Sequence, residues 1–271
     1  MRAVVLLVPP SDVEVASDRL WVAGASAVEE RPHDDGRIEL RTTLGADDAV
    51  ARSRLGELPG EWVVGFEDVD DEPADTWRRF ARPIEVRDDL AISPAWVDGD
   101  EIAAATIVRI EPGGSFGLGD HPTTRLSAAL VHETVRPGDR VVDVGCGTGV
   151  LSVVAALRGA AEVVAVDIAD AAREATVDNA MRNGVGDLVR ASTTPVGELD
   201  GEFDVVVANI LAPTLVSMAP SLRRLTAAGG RLIVSGVLTG GYDHVLEALA
   251  PMAPVAERDD DGWSAVVLTR E

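Results

Sequence analysis

Val141-Val-Asp143-Val-Gly145-Cys-Gly147-Thr-Gly149 runs from a short apolar strand directly into three glycines at alternate positions. A strand of this composition is buried on both faces, as in a parallel sheet. Glycines permit a tight turn and let the backbone approach a ligand that lies at a helix N-terminus. A dinucleotide-binding loop requires G-x-G-x-x-G. Here position 150 is valine, so that spacing fails. Asp143 places a carboxylate just ahead of the loop, where it suits a cationic amine better than a pyrophosphate. Asp167 ends the run Val163-Val-Ala-Val-Asp167, 22 residues after Gly145. An acid about 20 residues past a glycine loop accepts hydrogen bonds from ribose hydroxyls; taken alone, Asp167 also reads as a helix N-cap. Together the two features indicate a nucleoside cofactor, and the alternate-glycine form favours S-adenosylmethionine over NAD.

Asn209 closes a further apolar run, Val205-Val-Val-Ala-Asn209. An amide at the carboxyl end of a central strand faces the ligand crevice of an open α/β sheet. Its carbonyl can accept a hydrogen bond from an amine and aim the nitrogen lone pair at a methyl group, the alignment that in-line displacement needs. A helix N-cap is the alternative. Phe116-Gly-Leu-Gly-Asp120-His121-Pro-Thr-Thr124 has the make-up of a loop folding over a ligand. His121 suits either a base or substrate orienter, or a cap for the helix that follows. Cys146, the single cysteine, reads as a small packing residue inside the glycine loop. The remaining histidines, His33, His132 and His244, are scattered, with no metal spacing.

Outward from this centre, residues 122–271 alternate strictly between strand and helix. Helices are expected over 122–135, 149–157, 169–182 (closed by Asn183-Gly184), from about 210 to 224, and over 242–249. Strands are expected over 140–144, 163–166, 203–208 and, after a Gly229-Gly230 turn, 231–235. A hairpin joins 255–258 to 263–269. The pattern predicts an α/β fold: a doubly wound, Rossmann-like parallel sheet with an antiparallel C-terminal hairpin. Strand-like pieces precede it at 84–87, 90–93 and 106–110, after an acidic linker over 68–75 and a short helix over 76–81. Residues 2–8, 37–43 and 61–66 read as strands and 12–24 and 47–58 as helices. This is the outline of a small ferredoxin-like βαββαβ module with part of it unaccounted for.

The 271 residues are 46% apolar and 26% charged, an ordinary globular balance. No run is long enough for a membrane helix, and the apolar start 3–10 reads as a buried strand rather than a signal peptide. One cysteine excludes an internal disulfide and a cysteine-based zinc site. These features predict a soluble cytoplasmic protein without a metal. The net charge is −22, and all 24 basic residues are arginine. Such a chain is unsuited to docking on nucleic acid and attracts a basic protein partner, although genome base composition or a salty cytoplasm would produce the same bias. Absence of lysine excludes Schiff-base and P-loop chemistry in this chain.

Phe116-Gly-x-Gly-x-His-Pro-Thr-Thr124, Asp143-Val-Gly-Cys-Gly-Thr-Gly149, Val166-Asp167-Ile168, Asp178-Asn-Ala-x-x-Asn-Gly184 and Val207-Ala-Asn-Ile-Leu211 follow one another in that order. The series resembles the ribosomal protein L-eleven methyltransferase family (PrmA type), strongly over 75–240 and in general layout before that. Leu118 and Asp120 depart from it, since the family usually carries Thr at the first position and often at the second. The resemblance implies an S-adenosylmethionine-dependent enzyme that methylates lysine or α-amino nitrogens of a protein, most readily that ribosomal protein. It implies a substrate-recognition domain over 1–74, a linker with lead-in strands over 75–112 and a methyltransferase domain over 113–271. Cofactor contacts fall on Phe116, Gly117, Thr124, Asp143, Gly145, Gly147, Asp167, Ile168 and Asn209, with Asn209 and His121 as the catalytic pair and Asp120 as another candidate proton acceptor. Two rival readings are a methyltransferase acting on another protein or a small molecule, and a non-catalytic cofactor-binding protein.

Overall fold

The computed structural model of the chain describes residues 2–25, 28–44, 48–56, 58–68, 82–97, 102, 104–111 and 119–271. The helix expected over 76–81, and the acidic linker apart from Asp68, lie outside the described residues. The chain divides into two compact units, Met1–Ala81 and Arg82–Glu271. No helix among the described residues is long and apolar enough to cross a membrane.

The first unit contains β1 (Arg2–Val8), α1 (Val13–Val22), β2 (Glu29–Pro32), β3 (Ile38–Thr42), α2 (Asp48–Leu55) and β4 (Val63–Asp68). The strand order is β2-β3-β1-β4, and every neighbouring pair is antiparallel. These are the two interleaved βαβ units of a ferredoxin-like fold. Side chains alternate faces along a strand, so Val4, Leu6 and Val8 of β1 are buried together with Leu40, with Ala16 and Leu20 of α1, and with Ala51 and Leu55 of α2. Trp62 closes this core, its indole N–H donating to Asp12 at 2.9 Å. The strand missing from the sequence outline is β2. All four of its residues are exposed, so no apolar alternation marks it; pairing along β3 alone defines it.

The second unit begins with β5 (Ile84–Arg87), β6 (Leu90–Pro94) and β7 (Thr106–Ile110), a sheet of order β5-β6-β7. Then follow α3 (Pro122–Thr134), β8 (Arg140–Val144), α4 (Val150–Leu157), β9 (Glu162–Val166), α5 (Asp170–Arg182), β10 (Val189–Ser192), β11 (Phe203–Asn209), α6 (Ala212–Leu225), β12 (Thr226–Leu238), α7 (Asp243–Leu249), β13 (Ala253–Asp260) and β14 (Trp263–Thr269). The large sheet runs β10-β9-β8-β11-β12-β14-β13. Its first five strands are parallel; β14 returns antiparallel between β12 and β13. The doubly wound sheet and its hairpin edge are therefore present. Two details differ from the sequence outline. β10 is an added edge strand with one buried residue, Val189. β12 starts at Thr226 rather than after Gly229-Gly230, because the Gly229 amide donates to Arg270 and the Gly230 carbonyl accepts from it, keeping the glycines within the sheet.

One apolar core lies under α3 and α4, and there Leu90, Ile92, Val108 and Ile110 of the small sheet join it. The other lies under α6 and α7. Strand order reverses between β8 and β11, so the connections leaving these neighbours go to opposite faces and open a crevice at their carboxyl ends.

One side of that crevice is set by Gly236. β12 bulges between Ser235 and Val237, and Gly236 takes a left-handed φ of 86°. A Cβ there would lie 2.5 Å from the carbonyl oxygen of Ile210, the residue directly after β11. An alanine must bear left-handed strain of roughly 1–2 kcal/mol plus overpacking of typically 1–3 kcal/mol. Gly236→Ala is expected to lower stability by about 2–5 kcal/mol in urea unfolding followed by circular dichroism; an unchanged midpoint would show that the bulge relaxes freely.

Candidate active site

Alternation along the central strands sets the direction of the polar side chains. On β8, Val141 packs on the α3–α4 side, whereas Val142 and Val144 pack under α6 and α7. Asp143 therefore faces the α3–α4 side. On β11, Val205 and Val207 share that side. Asp143 pairs with Val207, so Asn209 projects from the same face two residues nearer the carboxyl edge.

Asp143 is 1% exposed. Ser152 of α4 donates to its Oδ2 at 2.6 Å, while Oδ1 has no partner among the described residues. Burial pushes the carboxyl up to about 6, against the opposing effect of the Ser152 hydrogen bonds. A buried carboxylate with an open acceptor position is costly, and an ammonium donor relieves that cost.

The glycine loop is anchored to the end of β9. The amides of Gly145 and Cys146 both donate to the Val166 carbonyl, at 2.8 and 3.1 Å. Asp167 accepts from the Gly147 amide on Oδ2 and from the Ala169 amide on Oδ1, each at 3.0 Å. It does not cap α5, whose N-cap is Ala169. A carboxylate offers about four acceptor positions, so Asp167 fastens the loop and still has acceptor capacity for hydroxyls. Ile168 beside it stands 89% exposed. Gly145 has φ 75°, and a Cβ there would lie 2.6 Å from Cγ2 of Ile210. Ile210 thus fills the gap between the glycine loop and the β12 bulge, with its amide donating to Ser235 at 3.2 Å. Cys146 is buried and accepts from the Thr176 hydroxyl. Burial, reinforced by Asp143, pushes its thiol up, consistent with a packing role.

Asn209 does not cap α6, whose N-cap is Leu211. His121 does cap α3: its Nδ1 accepts from the Thr123 amide at 3.3 Å and lies 2.8 Å from the Thr123 hydroxyl. The ring meets Trp263 edge-on, with centroids 5.1 Å apart. Burial lowers its pKa, which keeps it neutral. Arg125 reaches back to the Asp120 carbonyl and across to Asp260, bracing this turn against β13. Thr124 is 1% exposed and its hydroxyl has no partner among the described residues. Phe116 and Gly117 lie outside the described residues.

Asp143, Gly145, Gly147, Asp167 and Asn209 thus sit along the carboxyl edge of three adjacent strands, and Thr124 and His121 lie at the start of α3. The sequence reading did not anticipate Ser152, Ile210, Gly236 or Trp263. Ser152 is one serine in an apolar helix, and Gly236 directly follows a strand end, a weak signal for a bulge. Ile210 falls within the quoted Val207-Ala-Asn-Ile-Leu211 motif, which gives it no packing role, and nothing local marks Trp263. The residues fit a sulfonium amino-acid nucleoside: an open buried carboxylate for an ammonium, an acid at the next strand end for ribose, and glycine amides between them.

The ribosomal protein L11 methyltransferase (PrmA) family matches this chain over residues 49–271. The ribosomal protein L11 methyltransferase of Symbiobacterium thermophilum is 36% identical over 261 residues, which cover 96% of this chain and 82% of that one. Its counterpart in Citrifermentans bemidjiense is 40% identical over 199 residues, 71% of this chain and 65% of that protein, just under two thirds of its length. The crystal structure of a ribosomal protein L11 methylase from Lactobacillus delbrueckii subsp. bulgaricus superposes with a TM-score of 0.65 at 30% identity, over 70% of this chain and 99% of that one. A match of this extent reaches well beyond the glycine loop that all methyltransferases of this fold share, and on it the chain belongs to the ribosomal protein L11 methyltransferase (PrmA) family of S-adenosylmethionine-dependent methyltransferases.

Proposed function

We propose that this chain methylates lysine side-chain or α-amino nitrogens of ribosomal protein L11, with Asp143, Asp167 and Asn209 as the polar centre of the site. The observation that carries the reading is the placement of these three side chains at the carboxyl ends of β8, β9 and β11, where strand order reverses. S-adenosylmethionine supplies an already activated sulfonium methyl group, so alignment and exclusion of water are the main tasks left to the protein. Asp143 accepts from the donor's ammonium group, Asp167 from its ribose hydroxyls, and exposed Ile168 offers an apolar surface to the base. Thr124 supplies a hydroxyl, and the family resemblance adds Phe116 and Gly117 to the cofactor contacts.

The attacking amine must be neutral, whereas a free lysine has a pKa of about 10.4. Burial in the crevice lowers that value. Asn209 accepts a hydrogen bond from the amine and directs its lone pair. His121, whose Nδ1 is engaged at the Thr123 amide so that the neutral ring carries its proton on Nε2, orients the substrate in this reading, and the amine's proton leaves to solvent. The first unit captures the protein substrate. Residues 1–81 carry 18 acids and 9 arginines, a charge that favours a basic partner and disfavours nucleic acid.

The direct test is incubation with methyl-labelled donor and a ribosomal extract. Label is expected in one small basic protein. Label in small molecules would move the substrate to a metabolite, and absence of label would make the chain a cofactor-binding protein. Raised salt should increase KM for the protein while leaving cofactor affinity nearly constant, because exposed charges are screened beyond about 8 Å. Asp167→Ala is expected to weaken cofactor binding by about 1–3 kcal/mol in calorimetry; unchanged affinity would refute the ribose role. Asn209→Ala should lower turnover by about 10²-fold, the scale of losing reactant alignment, with a smaller change in cofactor affinity. Full turnover in a folded variant would remove Asn209 from the mechanism.

A further inference from the structure

The motif Asp178-Asn-Ala-x-x-Asn-Gly184 has no part in the chemistry above, yet each of its asparagines Asn179 and Asn183 makes three side-chain hydrogen bonds to backbone. Asn179 is fully buried. Its Oδ1 accepts from the Glu111 amide at 2.8 Å, and its Nδ2 donates to the Glu111 carbonyl at 2.9 Å and to the Thr148 carbonyl of the glycine loop at 3.0 Å. Asn183 repeats the pattern on Arg109, accepting from its amide at 2.8 Å and donating to its carbonyl at 2.7 Å. The repeat has a geometric cause. Four residues of helix rise about 6 Å, close to the roughly 6.6 Å of two strand residues. Side-chain amides four apart on a helix therefore pair with alternate residues of a strand as a neighbouring strand would. Thr176, three residues before Asn179 on the same helix face, shares its one hydroxyl proton between the Gly147 carbonyl and Cys146 Sγ, each 3.2 Å away.

The geometry points to Asn179 as a positioning residue for the cofactor loop, acting through Thr148 and coupling that loop to the strand end at Glu111. Tying off the carbonyls of Gly147 and Thr148 on the α5 side fixes the orientation of the peptide groups that present the loop to its ligand. Asn179 bonds to both the loop and the strand end, whereas the bonds of Asn183 among the described residues go to the strand and to its own helix. The inference rests on the cofactor reading above and extends it to a residue that does not touch the ligand.

Asn179→Asp and Asn183→Asp form a matched pair. Each keeps the side-chain shape and the acceptor but loses the donor, and only the first loses the bond to Thr148. Calorimetry with S-adenosylhomocysteine is expected to show about tenfold weaker binding or worse for Asn179→Asp, the scale of one lost buried hydrogen bond. Asn183→Asp should stay within about twofold of the parent despite a comparable fall in Tm. Cofactor addition should slow hydrogen exchange at the Glu111 amide in the parent and in Asn183→Asp, and leave it unchanged in Asn179→Asp. Should Asn179→Asp fail to fold, Thr176→Val, which leaves the strand contacts intact, should weaken binding several-fold. Equal losses in the matched pair, or parent-like affinity in Asn179→Asp or in Thr176→Val, would overturn the positioning role. A parent chain that binds no S-adenosylhomocysteine would overturn the cofactor reading and this inference with it.

Discussion

The second unit depends on one pairing, that of β8 with β11 at the centre of the large sheet. Val141 through Val144 lie against Val205 through Ala208 in parallel register, and the two strands are neighbours in space although some sixty residues apart in the chain. Because β9 and β10 extend the sheet on one side and β12 on the other, the loop after β8 and the loop after β11 turn to opposite faces. The space between them at the sheet edge has no backbone to fill it. Both strands end in polar residues there: Asn209 stands half-buried at the crevice edge, while Asp143, deeper along β8, is buried against α4, where Ser152 donates to it.

The same pairing explains how a buried carboxylate is tolerated. Asp143 sits among valines, with one oxygen bonded to Ser152 and the other open. Desolvation alone would favour protonation, and burial does push its pKa upward. A cationic ligand group at that position turns a destabilising feature into binding energy, a common use of perturbed acids at functional sites. Strain is handled similarly around Ile210. Two left-handed glycines, Gly145 and Gly236, leave room for this one residue from either side, so the glycine loop, the β11 end bearing Asn209 and the β12 bulge all meet at Ile210.

The readable parts of the chain are those where a local pattern and a tertiary role coincide. Continuous apolar runs such as 163–166 and 205–208 are strands because they are buried on both faces, and any sequence pattern sensitive to burial finds them. Edge strands carry no such pattern: Glu29–Pro32 is wholly exposed, and Val189–Ser192 has one buried residue. His121 shows the opposite difficulty. A histidine before Pro-Thr-Thr suits a cap and a catalytic group alike, and only the folded chain brings its Nδ1 to the Thr123 amide. The Gly229-Gly230 pair looks like a strand break but stays in the sheet, because the C-terminal Arg270 supplies its hydrogen bonds from the neighbouring strand.

Sequence by itself determined the two-part α/β organisation, the cofactor class and the strand-end positions of Asp143, Asp167 and Asn209, because burial, glycine spacing and strand-end polarity are all properties of short segments. Tertiary structure alone decided which face those side chains share, that Asp167 braces the glycine loop instead of capping α5, and that Ile210 is held between two glycines. It also showed Asn179 joining the loop to Glu111, two partners that lie 31 and 68 residues away from it. Contacts across such separations arise from packing of complete elements, and the residues that make them carry no local mark of the partner they will meet.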